Sequence, residues 1–540
     1  MTSAKSVTAT FTASTPTPTN YTLSVSVSGA GSVSSTPAGI NCGSACSASY
    51  ANNTVVSLTA SASTGNTFNG WGGACTGAST SCSITMSAAR SVTATFTAPP
   101  PAAGTCSQVS QYGIVFSFDK AYPCGQFANG DYWVTPTTSG GNVNIASITP
   151  AYTGSLNGFE VNPNSVVKQG FDSHAPDFDA SRVPALPYAA RAGQSIVKAV
   201  SVSGNAKTFL NTAAVLTVLG AVPPDNGATV FRPPYFGTDK TLYSTNNLLL
   251  NNLPHYAPVA NTPTLATIQQ RYQRVQLDHL LYWSGDQIHP VQNMPDYGGQ
   301  IATDNAEAAL RLMLNDTNQA KLPAAINFVQ YGIDLAAARR GGLHFESDGG
   351  HRHGRKLVLA LTADLLDDSN IRALVHDAPY NTYQDDGDLY YSANAGTVLW
   401  GKPDCSAGDY WDNQNTGNNS RDCRDPYGYI DGGQEPGGYY QFCCTSMGFK
   451  ATALALRLMP ELQCIWNNND ILVYADRWVT FGVWSKPDPY AAHGNGALGS
   501  GRWPALHGTQ KDSGYYASDF SNSMWSAYRA GAPAAPSCGP

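Results

Sequence analysis

Residues 98–104 read APPPAAG. Three consecutive prolines can neither continue a helix nor donate to a sheet ladder, so the chain changes character here. We read residues 99–105 as a semi-rigid linker. On its N-terminal side, Tyr21–Val27 and Val55–Ala60 alternate apolar with polar residues between Gly-rich turns, which is the pattern of short antiparallel strands over residues 14–98. On its C-terminal side the alternation continues in GIVFSFD (Gly113–Asp119), YWVTP (Tyr132–Pro136), NVNIASI (Asn142–Ile148) and SIVKAVSV (Ser195–Val202). These segments point to a β-sandwich over residues 106–203. After Gly204 the apolar residues recur at helical spacing in Thr208–Leu219, Leu265–Trp283, Asp304–Leu314, Leu322–Arg340, Lys356–Leu366 and Ser446–Met459. Asp304 with Glu307 has the form of a capping box, and Ser446 precedes another apolar run. The expected fold is multidomain: an all-β repeat module and a β-sandwich, followed by an all-α region over residues 204–540.

The 540 residues carry 30 Lys and Arg against 37 Asp and Glu, a net charge of −7. That balance offers no basic footprint for phosphates, so nucleic acid is not an expected partner. No window of about 18 apolar residues exists, and no membrane span is expected. The 12 cysteines are even in number and fall mostly in short-range pairs, the mark of disulfides made outside the cytosol and of a secreted or cell-surface protein. Cys42 with Cys46, Cys75 with Cys82, Cys106 with Cys124 and Cys405 with Cys423 are the expected bonds. Cys443, Cys444, Cys464 and Cys538 have no unique pairing on spacing alone, and a vicinal link between the first two is one option. Met1 opens no signal peptide. Ala4–Ala13 (AKSVTATFTA) nearly repeats Ala89–Ala98 (ARSVTATFTA), so residues 1–13 read as the tail of an upstream repeat, with the natural protein longer at its N-terminus.

The segments GINCGSACSASY (Gly39–Tyr50), FNGWGGAC (Phe68–Cys75) and SITMSAARSVTATF (Ser83–Phe96) resemble the divergent InlB-type bacterial repeat. The resemblance covers residues 21 to 98 and implies a spacer or adhesion module of a bacterial surface or secreted protein.

Chemistry is sought in the helical region. Five of the ten histidines, His279, His289, His344, His351 and His353, fall close together in sequence. ESDGGHRHGRK (Glu346–Lys356) is the densest titratable group, and WSGDQIHPVQNMPDYGGQ (Trp283–Gln300) adds Asp286, His289, Asn293, Asp296 and Tyr297 between two helical segments. Both loops are expected to line one cleft. His-x-His alone is a weak metal signal, and no HExxH, paired CxxC or calcium loop accompanies it, so no metal or other cofactor is expected. No GxSxG elbow supports a serine hydrolase. The long loop 378–442 holds nine Tyr and two Trp, rings suited to stacking on sugars or to packing the loop on its own helices.

Elimination at a uronic acid needs a base for the C5 proton, a partner for the carboxylate and a proton for the leaving oxygen. Asn293, Tyr297, His351, His353 and Arg355 supply that set as catalytic candidates. Asp286, His289, Glu346, Asp348, Tyr390, Tyr391, Trp400 and Tyr439 are the substrate-binding candidates. In these residue kinds and in its architecture, residues 204 to 530 resemble α/α-toroid polysaccharide lyases. That resemblance implies β-elimination on a uronate-containing polysaccharide, although the β-domain before the helices departs from the order common in such lyases. Hydrolysis by two carboxylates is the alternative, with Asp286, Asp296, Glu346, Asp348, Asp385, Asp386 and Asp388 as candidates. A non-catalytic glycan-binding adhesin is the second alternative. The sequence leaves the oligomeric state open.

Overall fold

A computed structural model describes residues 19–29, 31–42, 46–63, 66–97, 104–204, 207–291, 295, 297–401, 441–483, 485–486, 508 and 516–538. The chain forms two compact units, residues 1–99 and 100–540. Residues 1–13, Cys405 and Cys423 lie outside the described residues.

The first unit holds β1 (Asn20–Ser28), β2 (Gly31–Thr36), β3 (Ser47–Ala51), β4 (Val55–Ala62), β5 (Thr67–Gly73), β6 (Ser81–Thr85) and β7 (Arg90–Thr97). They make two sheets, β3-β1-β7-β5 and β2-β4-β6. Alternate residues point inward, so Leu23, Val33, Val56, Leu58, Trp71 and Phe96 close one small core while Ser and Thr face outward. The Cys42–Cys46 and Cys75–Cys82 disulfides are present, staples a core of this size benefits from.

The second unit opens with β8 (Gly104–Gln111), β9 (Ile114–Gln126), β10 (Tyr132–Val134), β11 (Val143–Thr149), β12 (Phe159–Val161), β13 (Tyr188–Ala190), β14 (Gln194–Ser201) and β15 (Leu210–Val218). Gly104 and Thr105, expected in the linker, already pair with β9. In place of a two-sheet sandwich there is one sheet, ordered β12-β14-β15-β10-β9-β11-β13, with β8 also on β9. All eight strands feed a single core that includes Val109, Phe116, Val134, Ile145, Phe159, Ala190, Ile196 and Leu216. Cys106–Cys124 ties β8 to β9.

Within Thr208–Leu219 the chain forms strand β15 and not a helix, so the boundary expected at residue 204 would cut this sheet. Its apolar run is continuous because both faces are covered: Ala214, Leu216 and Val218 enter the sheet core, whereas Leu210, Ala213 and Val215 enter the core shared with the helices. A strand buried on both faces and a buried helix look alike in hydrophobic pattern.

The helical region contains α1 (Leu265–Tyr272), α2 (Gly298–Leu312), α3 (Asn318–Arg340), α4 (Arg355–Leu366), α5 (Ser369–His376), α6 (Gln384–Gly387), the hairpin β16 (Leu389–Ser392) and β17 (Thr397–Trp400), α7 (Ser446–Leu458), α8 (Glu461–Trp466), α9 (Asp470–Phe481) and α10 (Asp519–Tyr528). Among the described residues no helix is long and apolar enough to cross a membrane. Two expectations change here. Helix α1 stops at Tyr272, and Val275–Leu280 continues buried without helical form. Helix α2 starts at Gly298, so Asp304 sits in its second turn and is no cap; Asp304 and Glu307 face Arg271 at 3.3 and 3.1 Å. Cys443 bonds to Cys444 at the turn before α7, and Cys464 in α8 bonds to Cys538.

Candidate active site

His351 sits on the loop between α3 and α4, where its backbone N–H donates to the Asp348 carbonyl. Its side chain is 20% exposed, and Nδ1 lies 2.8 Å from Oδ2 of the fully buried Asp286. A carboxylate at Nδ1 holds the proton there and leaves Nε2 as the basic nitrogen. The Tyr297 ring, at the start of α2, meets the His351 ring edge to face with centroids 4.6 Å apart, and stacks on Tyr516 at 5.3 Å. Close approach of the two segments depends on glycine. A Cβ on Gly298 would lie 1.9 Å from the His351 carbonyl oxygen, and one on Gly350 would lie 2.5 Å from the Tyr297 hydroxyl.

Behind this pair is a buried charge cluster. Arg355 donates from Nε to Asp278 at 2.8 Å and from Nη2 to Asp286 at 2.7 Å. Arg352 lies 3.3 Å from Asp278 and 3.8 Å from Asp286. The Tyr331 hydroxyl donates to Asp278 at 2.8 Å. Burial opposes ionisation of Asp278, but the guanidinium groups of Arg355 and Arg352 outweigh it and hold the carboxyl well below the usual range. Two carboxylates and two guanidinium groups thus balance one another out of water. Gln384 of α6 closes the loop from outside, accepting from the Arg352 N–H and donating to Gly349 O and Asp388.

The other candidates fall around this centre in different ways. Arg355 and His353 are fully buried; His353 packs against Gly448 and Phe449, and neither ring nitrogen has a hydrogen-bond partner among the described residues. His289 is likewise buried and unpartnered, and burial lowers its pKa to about 4. Glu346 pairs with His344 at 3.5 Å. Tyr390, Tyr391 and Trp400 lie on the β16–β17 hairpin, which follows directly on the Gln384 segment, with Tyr391 64% exposed. Asn293, Asp296 and Tyr439 lie outside the described residues. Asp278, Tyr331 and Gln384 carry structural roles here that the sequence did not single out.

Among the carboxylates weighed for hydrolysis, Asp286 is shared by His351 and Arg355. Asp385 accepts the Gly354 N–H with both oxygens, Asp386 pairs with Lys356 at 2.7 Å, and Asp388 accepts from Gln384. Burial raises the Asp385 pKa to about 7. Asp278, Asp286 and His289 offer ligand atoms within 4.8 Å of one another. Both carboxylates are already neutralised by Arg352 and Arg355, so a divalent cation there would sit beside two buried guanidinium charges and fits poorly.

Burial pulls the His353 pKa down to about 3. Between that value and the ~6.5 of an unfolded histidine, the unfolded chain binds a proton that the folded chain refuses. The stability contributed by neutral His353 is therefore complete above about pH 6.5 and is lost as pH falls toward about 3, with about 2 kcal/mol gone by about pH 5. Urea unfolding of His353→Gln should accordingly show a shallower loss of stability between about pH 7 and about pH 5 than the parent, by roughly that amount. Equal slopes would mean that His353 titrates freely.

Residues 21–100 match the divergent InlB B-repeat domain, and the N-terminal module is a repeat of this kind. No curated protein and no solved structure matches the chain.

Proposed function

We propose that the protein is an exported bacterial carbohydrate-active enzyme that cleaves a uronate-containing polysaccharide by β-elimination. The observation that carries this reading is the contact of a carboxylate-oriented, partly exposed histidine, His351, with the ring of Tyr297. In the reaction His351 Nε2 takes the C5 proton, and the C–H electron pair becomes the C4–C5 double bond. The C4–O bond breaks and its oxygen receives the Tyr297 phenol proton. Proton return from His351 to the tyrosinate restores the pair. Asp286 fixes the His351 tautomer and steadies the imidazolium. Arg355, committed to Asp278 and Asp286, acts through them as a positioning residue. Asn293 is assigned to the substrate carboxylate from its place in the sequence, and the hairpin aromatics Tyr390, Tyr391 and Trp400 to sugar stacking.

An α/α-toroid arrangement of the helices belongs to this reading, as do secretion and the InlB-type repeat as a spacer. The disulfides fit an oxidising compartment. Elimination is favoured over hydrolysis because Asp286, Asp385, Asp386 and Asp388 are each engaged by a cation, a histidine, an amide or the backbone. Digestion in heavy-oxygen water, read before the new hemiacetals exchange, separates the two: elimination adds no solvent oxygen, whereas hydrolysis adds one atom per cleavage, at the new reducing end. Glycan retained without new ends would mark an adhesin.

A further inference from the structure

We propose that the vicinal Cys443–Cys444 disulfide is a positioning element for the Tyr297–His351 pair. A bond between adjacent residues closes no long loop, so unlike Cys464–Cys538, which spans 74 residues, it removes almost no chain entropy from the unfolded state. What it fixes is the local backbone, because the peptide joining the two cysteines becomes part of a small ring. That ring sits in the Gln441–Thr445 turn leading into α7.

The turn is anchored behind and bears on the site in front. Behind it, Gln441 donates to the Tyr474 hydroxyl at 3.1 Å, and Ser446 Oγ lies 2.6 Å from the same oxygen. In front, a Cβ built on Gly350 would meet Cys444 Cβ at 2.6 Å and the Tyr297 hydroxyl at 2.5 Å, and one on Gly299 would meet the Cys444 carbonyl at 2.6 Å. Gly350 immediately precedes His351, and Gly299 follows Tyr297 by two residues. One rigid ring therefore touches both segments that bring the pair together. Opening it gives two thiols and removes the ring's constraint on the turn; a dithiol reagent supplies the two electrons and two protons and is itself oxidised to a cyclic disulfide. Displacement on the order of 1 Å at a reacting pair costs up to roughly 10²-fold in rate.

The activity readout rests on the elimination reading, so a second readout stands apart from it. The full chain and its Cys443→Ala/Cys444→Ala variant are treated with diethyl pyrocarbonate, and carbethoxylation of His351 is followed by peptide mapping relative to the exposed His376. The expected result is His351 labelling several-fold faster in the variant. On a polymer the parent cleaves, kcat is expected to fall by about 10- to 100-fold with KM little changed. Unchanged or slower relative labelling of His351 overturns the inference whatever the activity. If the parent cleaves no uronate polymer, the elimination reading falls and labelling alone judges the disulfide. Should the variant not fold, the same ratio is measured on the parent before and after brief dithiol treatment, with alkylation confirming that the Cys443–Cys444 bond has opened, and an unchanged ratio again overturns the inference.

Discussion

His351→Ala is expected to lower turnover by roughly 10² to 10⁴, the usual size of a general-base contribution. The fold should survive, because the side chain is partly exposed and its removal leaves Asp286 still held by Arg355 at 2.7 Å. Asp286→Asn tests the same base from behind. An amide in that place keeps the shape, removes the charge that steadies the imidazolium, and presents a donor that drives the His351 proton to the wrong nitrogen, so a loss on the order of 10² or more is expected. Tyr297→Phe keeps the ring contacts with His351 and Tyr516 while deleting the proton donor, and should likewise act on kcat more than on KM. Turnover that survives His351→Ala within a few-fold would remove His351 from the chemistry.

Arg355→Met should destabilise the second unit by roughly 3–5 kcal/mol, because it strips the main counter-ion from two buried carboxylates. Arg352 cannot take over, since it stands 3.3 and 3.8 Å from Asp278 and Asp286 and also donates to the Leu280 carbonyl. Arg355→Lys keeps the charge and loses the fork that reaches both partners at once, so it should fall between the parent and the methionine variant. Urea unfolding followed by the near-ultraviolet signal of the second unit measures both. A cost below about 1 kcal/mol for Arg355→Met would mean that the cluster is solvated and not a buried network.

The parts legible in the sequence are those whose determinants are local. Alternation in Val55–Ala60, helical spacing in Leu322–Arg340 and Lys356–Leu366, and the short-range pairs Cys42–Cys46, Cys75–Cys82 and Cys106–Cys124 needed no knowledge of distant residues. Strand β15 reads as a helix in the sequence because burial on both faces erases the period that separates strand from helix. Val275–Leu280 reads as helix because Val275, Leu277 and Leu280 fit the helical spacing, yet the buried segment is irregular and carries Asp278 among them. The cationic partners of Asp278, Arg352 and Arg355, lie more than 70 residues away, and no local pattern joins them. Arg355 and His353, expected to face the cleft, are buried instead: Arg355 turns inward to Asp278 and Asp286 and His353 packs on Gly448 and Phe449, while the His351 side chain stays partly exposed.

The most direct measurement is the ultraviolet absorbance of digests of uronate-containing polysaccharides by the full chain, followed together with the appearance of reducing ends. Elimination predicts that each new end is matched by one conjugated unsaturated uronate, so that the absorbance rises in step with the ends and both disappear in His351→Ala. New ends without that absorbance, or glycan bound with neither, would contradict it.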